Sequence, residues 1–323
     1  MELKKESFTI KKGLDIQLEG EAVRNLKTHL SSKSYIFPTD FRWFVPKLLV
    51  KEGDPVTVGT PLFCKKRDER VCVVSPVNGK ITQIVRGEKR VLEVIEIENE
   101  ATSIPKRCEI PENLSSSIIQ SLMLQNGLWP MLRQRPFSVI PSPDKKPKSL
   151  FISCFDSSPL APDFFFLLNN QKEMWQKGVE ILKLLLGEIP IYLGLNSNDN
   201  NSIFEETKDV NIRYFSGPHP VGNVGTQIHL VDPINKGESV WFIHPQDVVT
   251  IGRFFLKGEL SFDRIVALTG PELTETGYWK VNYGSDLKSL LMPLLHSDNV
   301  RLISGNVLTG CKLSDFFAVR FYD

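Results

Sequence analysis

From Pro46 the chain reads P-K-L-L-V-K-E-G-D-P-V-T-V-G-T-P-L-F, then V-C-V-V-S-P-V-N-G-K-I-T-Q-I-V. Short strand-forming runs are cut by turn sequences at Gly53-Asp54-Pro55, Gly59-Thr60-Pro61 and Asn78-Gly79. This spacing is all-β patterning with tight hairpins. The two halves share a layout, as in a small sandwich folded from a quasi-repeat. Upstream, Phe8–Ile10 and Leu14–Leu18 are short strand candidates on either side of Lys11-Lys12-Gly13. A polar stretch follows, then a proline-punctuated one around Tyr35–Val45.

Beyond residue 105 the period changes. Glu112–Gln125 carries Ile118, Ile119, Leu122 and Met123 at helical spacing. Ser149–Cys154 reads as a strand, and Asp163 is placed to cap a helix starting at Phe164. Phe164–Leu168 and Met174–Leu186 give further apolar stripes, with Gly187 a C-terminal cap. Ile189–Leu195, Ile212–Phe215, Ser239–Ile243 and Asp263–Leu268 read as strands, and Gln246–Leu256 as a helix. Strands alternating with helices imply a mainly parallel sheet covered on both faces. After Asp263–Gly270, the segments Gly277–Tyr283 and Ser285–Leu291 read as strand and helix, with Ser285 as the cap. Arg301–Gly310 returns as a strand and a glycine turn.

The stretch Asn126–Pro143 (N-G-L-W-P-M-L-R-Q-R-P-F-S-V-I-P-S-P) opens the α/β region, where an open sheet usually faces its ligand crevice. A glycine-rich version could cradle a phosphate on its backbone amides. Here Gly127 is followed by Leu128, Trp129, Pro130 and Met131. Bulky side chains prevent close approach of the backbone, and Pro130 and Pro136 each remove a donor. Arg133 and Arg135 can hold an anion only by side chain. The domain is expected to have the shape of a cofactor domain without a dinucleotide cradle.

A second permissive loop, Ser216–Thr226, carries Gly217, Gly222 and Gly225 in a spacing that matches neither G-x-G-x-x-G nor G-x-x-x-x-G-K-[ST]. Two prolines flank His219. A ligand or protein contact, such as a quinone headgroup hydrogen-bonded by His219 or His229, stands beside a purely structural turn. His219, His229 and His244 lack metal-ligand spacing, so no metal is expected. Asp156 and Asp163 are read as turn and cap residues rather than an acid–base pair. Trp129, Trp175, Trp241 and Trp279 are read as core or interface side chains.

Composition excludes several classes. Lys plus Arg (39) balances Asp plus Glu (38), which gives no field for nucleic acid or an anionic membrane. The five cysteines, Cys64, Cys72, Cys108, Cys154 and Cys311, lack a C-x-x-C pair and read as reduced thiols in the cytoplasm. No run of 18 apolar residues occurs, so no span of the membrane by this chain is expected.

V-K-E-G-D-P-V-T-V-G-T-P-L-F followed by S-P-V-N-G-K-I resembles the barrel-sandwich hybrid fold of biotinyl and lipoyl carrier domains. The hairpin tip K-K-R-D-E-R lacks the context that modifying enzymes recognise, so Lys65 and Lys66 are read as solvated turn residues. The C-terminal strand–strand–helix order resembles a β-grasp, ubiquitin-like module of the soluble-ligand-binding type.

Over nearly its whole length the chain resembles the NqrA family, one of the subunits of the bacterial sodium-translocating NADH:quinone oxidoreductases (the Nqr complex). The matching segments include K-K-G-L-D-I, R-G-E-K-R-V-L, G-L-W-P-M-L-R-Q-R-P-F-S, F-S-G-P-H-P-V-G-N-V-G-T-Q-I-H and R-L-I-S-G-N-V-L-T-G. The resemblance implies an α+β multidomain protein. Residues 1–105 would form the N-terminal β region with the barrel-sandwich hybrid domain. Residues 106–260 would form a Rossmann-like α/β domain related to the flavin subunit of complex I, and residues 261–323 a β-grasp module. In the complex I and Rnf relatives a G-G-A-G-F-P-T type loop holds flavin phosphate where Gly127–Ser138 stands here. The family usually continues past Gly310 into a helical domain, so this chain is expected to be a fragment or a shortened form.

By that resemblance the chain is a cofactor-free peripheral subunit on the cytoplasmic face of the bacterial inner membrane. It has no catalytic residue of its own. The complex oxidises NADH, reduces ubiquinone and exports Na⁺, with FAD, FMN, riboflavin and iron centres held by other subunits, both membrane-embedded and flavin-bearing. The residues to examine for quinone contact are His219, Arg133, Arg135 and Trp129. The rival readings are a stand-alone flavin- or NADH-dependent oxidoreductase and a biotin or lipoyl carrier.

Overall fold

The computed structural model describes residues 6–100, 105–199, 202–313 and 315–322. The chain divides into two compact units, residues 1–16 with 107–259 and residues 17–106 with 260–323.

The first unit is built on a six-stranded sheet in the order Ser7–Thr9, Asn211–Ser216, Ile191–Asn196, Leu150–Ser153, Val240–Phe242, Arg133–Arg135. The first five are mutually parallel, and Arg133–Arg135 runs antiparallel along one edge. From Leu150–Ser153 the chain steps outward through the next two strands. It then crosses back to lay Val240–Phe242 on the other side of where it began. The switch point therefore lies between Leu150–Ser153 and Val240–Phe242, where open α/β sheets place their crevice.

Both faces of Leu150–Ser153 are covered, since Leu150, Phe151 and Ile152 are all at most 1% exposed. Helix Val224–Val231 covers the Phe151 face, with Ile228 packed on Phe151 and Val240. Helices Lys172–Leu186 and Pro245–Lys257 pack against each other. Their crossing is close because it is made at glycine. A Cβ on Gly252 would sit 1.7 Å from the Met174 carbonyl oxygen, and one on Gly178 would sit 2.1 Å from that of Val248. No side chain fits there unless the helices separate.

Local caps follow the chemistry of the sequence. Ser115 accepts from the Ile118 amide at the head of Ser116–Gln125, and Asp163 accepts from Phe166 at the head of Phe164–Leu168. Gly187 ends the helix Lys172–Leu186 with φ of 69°. Trp175, fully buried, donates to Thr207 Oγ1 at 2.8 Å.

In the second unit, strands Lys33–Ile36, Leu92–Asn99, Gly79–Arg86 and Pro55–Val56 form one sheet, and Pro46–Leu48, Pro61–Lys65 and Asp68–Val74 another. Phe63, Leu62, Ile81, Ile95 and Ile97 are fully buried. Asn78 Oδ1 accepts from the Val58 amide at 2.9 Å, so the asparagine-glycine turn ties down the turn of the other half-repeat.

Strands Asp263–Leu268 and Gly277–Asn282 pair antiparallel, and Leu26–Thr28 adds to the latter in parallel. Trp279, Val281, Leu287, Leu291 and Val319 close a small core beneath them.

Three local expectations differ from the structure. Leu14–Leu18 is irregular rather than a strand, because its bonds go to the loop that carries His219. The helix after Gly277–Asn282 is one turn, Lys288–Leu291, and begins at Leu287 without a side-chain cap. Ser285 instead accepts from the Asn282 amide at 3.1 Å. The Arg301–Gly310 strand shrinks to Ile303–Ser304, paired with Cys311–Lys312.

The glycine crossing gives a direct test. Gly252→Ala is expected to cost about 1–3 kcal/mol through overpacking. In urea unfolding the midpoint should fall with little change in slope.

Candidate functional site

Gly127–Leu132 is a compact knot in which the large side chains, and the amides of Gly127, Leu128, Met131 and Leu132, are committed inward. Helix Ser116–Gln125 ends at Asn126, and Gly127 turns the chain with φ of 68°. Trp129–Met131 forms a single 3₁₀ turn. Leu128, Trp129, Met131 and Leu132 are at most 2% exposed. Trp129 packs edge-on against Trp241 of the switch-point strand at 5.7 Å, and its indole N–H donates to the Pro141 carbonyl at 3.0 Å.

The amides are equally engaged. Leu128 donates to Met123 at 2.9 Å, Met131 to Leu128 at 3.2 Å and Leu132 to Trp129 at 3.1 Å. Gly127 makes a longer bond to Leu124 at 3.4 Å, while Pro130 and Pro136 have no N–H to give. A phosphate cradle needs several amides pointing outward at one centre. Here they point into the chain's own carbonyls.

Arg133 and Arg135 lie on the opposite face of the same ribbon from Trp129's partner. Both guanidinium carbons sit 4.9 Å from the Phe242 ring centroid, and Arg133 also donates to Ser138 Oγ at 2.6 Å. The registers place Arg133, Phe242, Phe151 and Tyr192 in one row across four strands. Arg213 stacks on Tyr192 at 5.2 Å. Each cation is held over a ring, which favours a fixed guanidinium plane.

His219 occupies a separate place, the loop after strand Asn211–Ser216. That strand lies four positions from Arg133–Arg135 in the sheet, roughly 19 Å at the usual strand spacing. The sequence candidates thus fall into three settings rather than one constellation: a buried tryptophan, an edge pair of arginines and a distant histidine.

The His219 loop is held from both sides. The His219–Pro220 bond is cis. From the N-terminal segment, Leu14 N donates to the His219 carbonyl at 3.1 Å, and Asp15 Oδ1 accepts from the His219 amide at 2.9 Å. Gly13 lies so close that a Cβ would meet the His219 oxygen at 2.1 Å.

From the sheet side, Ser157 Oγ accepts from the Gly222 amide at 2.8 Å and lies 3.0 Å from His219 Nδ1. The Ser157 hydroxyl keeps its proton and a second lone pair, so it gives to a bare Nδ1 or accepts from Nδ1–H according to the tautomer. In the tautomer that carries its proton on Nε2, Ser157 donates to Nδ1 and Nε2–H is a donor. Below this, Gln227, fully buried, donates to Ser153 Oγ at 2.8 Å, and Ser153 bonds the Gly222 carbonyl at 3.1 Å.

Asp15, Ser157 and Gln227 carry no signal of this role in the sequence. Asp15 lies 204 residues from its partner, and no local pattern announces such a bond. The other candidates have local duties: His244 caps helix Pro245–Lys257, Asp156 accepts from the Ser158 amide, and His229 lies in the last turn of Val224–Val231. Among the described residues no cluster of three metal-ligating side chains occurs.

Ser157→Ala should cost about 1–3 kcal/mol, because it strands the Gly222 amide. It should also remove the hydroxyl contact at Nδ1 of His219, which nitrogen chemical shifts of the ring will report.

Three family models match in order. The NqrA N-terminal barrel-sandwich hybrid domain matches residues 8–100, the NqrA second alpha/beta domain residues 114–260 and the NQRA C-terminal domain residues 265–315. The NqrA protein of the Na(+)-translocating NADH-quinone reductase of Actinobacillus pleuropneumoniae serotype 5b (strain L20) is 35% identical over 311 residues, covering 94% of this chain and 69% of that one. Its counterpart in Yersinia pseudotuberculosis serotype O:1b (strain IP 31758) is 36% identical over 316 residues, with the same coverage. A solved NAD+-reducing hydrogenase in the air-oxidized state aligns with 12% identity and a TM-score of 0.43 over 59% of this chain and 41% of that one, a level that establishes no shared fold. With three domain models matched in sequence order and relatives above 30% identity over 94% of its length, the chain belongs to the NqrA family, whose curated members are subunits of Na(+)-translocating NADH-quinone reductases.

Proposed function

We propose that the chain is the peripheral NqrA component of a Na(+)-translocating NADH-quinone reductase and works as scaffold and docking partner, with no redox cofactor of its own. Family membership supports the place in the complex, through relatives that carry this name over 94% of the chain. The observation that supports the cofactor-free reading is that the amides of Gly127, Leu128, Met131 and Leu132 bond the chain's own carbonyls where a flavin phosphate would draw on them. NADH oxidation, the flavins, the iron centres and Na⁺ movement then belong to other subunits, membrane-embedded and flavin-bearing. Among the described residues no helix is long and apolar enough to cross a membrane, which fits a peripheral position on the cytoplasmic face.

The finer domain reading is part of the same proposal. A Rossmann-like middle domain is supported by the parallel strand order and its switch point. A β-grasp C-terminal module is supported by the antiparallel pair Asp263–Leu268 and Gly277–Asn282 with Leu26–Thr28 added in parallel. The boundary at residue 105 follows the change of sequence period, and that at residue 260 follows the family resemblance.

For quinone contact, His219 is the candidate the geometry favours. A quinone carbonyl needs a hydrogen-bond donor, and with Nδ1 in contact with Ser157 the Nε2–H tautomer of His219 supplies one. Arg133 and Arg135 have Phe242 as their platform, and Trp129 spends its N–H on Pro141.

His219→Ala is expected to leave folding and co-purification with the other subunits unchanged. It should lower quinone reduction by the assembled complex roughly fivefold to tenfold, the effect of one lost hydrogen bond. Unchanged turnover and inhibitor sensitivity would reduce His219 to a turn residue.

A further inference from the structure

Two of the five cysteines, scattered along the sequence, meet in the fold. Strand Pro61–Lys65 pairs antiparallel with Asp68–Val74, and in that register Cys64 stands directly opposite Cys72. On the other side of Pro61–Lys65, strand Pro46–Leu48 sets Lys47 opposite Cys64. Lys47, Cys64 and Cys72 therefore form one row across three strands. Lys47 Nζ reaches Glu69 Oε1 at 2.7 Å, linking the first strand of the row to the third across the middle one that carries Cys64. Cys64 is 1% exposed and Cys72 half-buried, and both thiols are free. Cys72 donates to the Glu69 carbonyl at 3.3 Å.

Directly opposed residues on antiparallel strands hold their Cβ atoms about 4.5–5.5 Å apart, and their Cα atoms fall inside the disulfide span of about 4.4–6.8 Å. Closing a bond between them needs side-chain rotation and about 1 Å of strand approach. The remaining cysteines have no such partner: Cys311 stands opposite Ser304, and Cys108 donates to Asn126. Cys154 is buried in the other unit.

We infer that Cys64 and Cys72 form a modification site, a dithiol that a low-molecular-weight disulfide of the glutathione class converts to an intrachain disulfide. The more exposed Cys72, as thiolate, attacks one sulfur of the reagent, forms a mixed disulfide and releases one small thiol. Cys64, as thiolate, then attacks the Cys72 sulfur, forming the Cys64–Cys72 bond and releasing the second small thiol. The protein dithiol loses two electrons and two protons, and the reagent gains both as two thiols.

The surroundings set the rate of this exchange. Burial first, then the neighbouring Cys64 thiol and the Glu69 carboxylate, push the Cys72 thiol up to about 11, and burial raises Cys64 as well. Thiolate is the nucleophile, so the pair is slow at neutral pH and should speed up about tenfold per pH unit below that value. The bond staples a hairpin already paired by its ladder, so oxidation should leave the fold in place.

The test uses the whole purified chain with oxidised glutathione between about pH 7 and 10, the range over which the thiolate fraction rises, quenched by alkylation in denaturant. The oxidised chain should be lighter than the reduced, alkylated chain by two alkyl groups, with no glutathione adduct retained. Non-reducing digestion should give one cross-linked peptide joining Cys64 to Cys72, reversed by dithiothreitol. Cys64→Ser should retain glutathione on Cys72, because the resolving thiol is gone. A stable adduct on Cys72 in the unaltered chain would overturn the inference. So would modification of Cys311 with the pair still reduced at the alkaline end of the range.

Discussion

The middle domain depends on how Trp129 and its neighbours use their hydrogen-bonding groups. An α/β sheet with this strand order opens a crevice at its switch point, and relatives of such folds fill it with a phosphate held by backbone amides. Here the indole of Trp129 rests on Trp241, a residue of the switch-point strand itself, and the amides around it close on their own carbonyls. Burying so much aromatic surface stabilises the sheet edge. The same packing removes the donors and the space that a nucleotide needs. Stability of the sheet edge and the inward turn of these amides follow from one arrangement.

A second constraint acts at the other side of the sheet. The loop that carries His219 is fixed by the segment Gly13–Asp15, whose irregular course brings a backbone amide and a carboxylate to one residue. That segment follows closely on the strand Ser7–Thr9, which pairs in parallel with Asn211–Ser216. Residues 13–15 therefore position a loop more than two hundred residues away, and Ser157 holds Nδ1 of its histidine from the sheet side.

Much of this is legible in the residues alone, and the pattern of what is not is physical. The helices Ser116–Gln125, Lys172–Leu186 and Pro245–Lys257 and the caps Asp163 and Gly187 depend on local spacing or local polar groups, so the sequence places them within a few residues. Ser115 is a cap that the spacing does not single out, since three consecutive serines precede the apolar run there. The crowded Gly127–Met131 stretch is also readable, because side-chain size and proline are properties of the residues themselves. Long-range partners are not readable: Asp15 with His219, Met174 with Gly252 and Cys64 with Cys72 meet only through strand order and register. Ser285 illustrates the converse, since a serine ahead of an apolar run resembles a cap but is drawn into a turn at Asn282 instead.

The cofactor-free reading stands or falls on whether this chain can hold a flavin. Titration calorimetry of FMN into the purified, unaltered chain measures that directly, with Leu128–Met131 replaced by a glycine-rich sequence as the companion sample. The predicted result is no saturable heat with the unaltered chain. Saturable binding of FMN by that chain would contradict it, because the amides of Gly127–Leu132 would then have to leave their carbonyls for a phosphate.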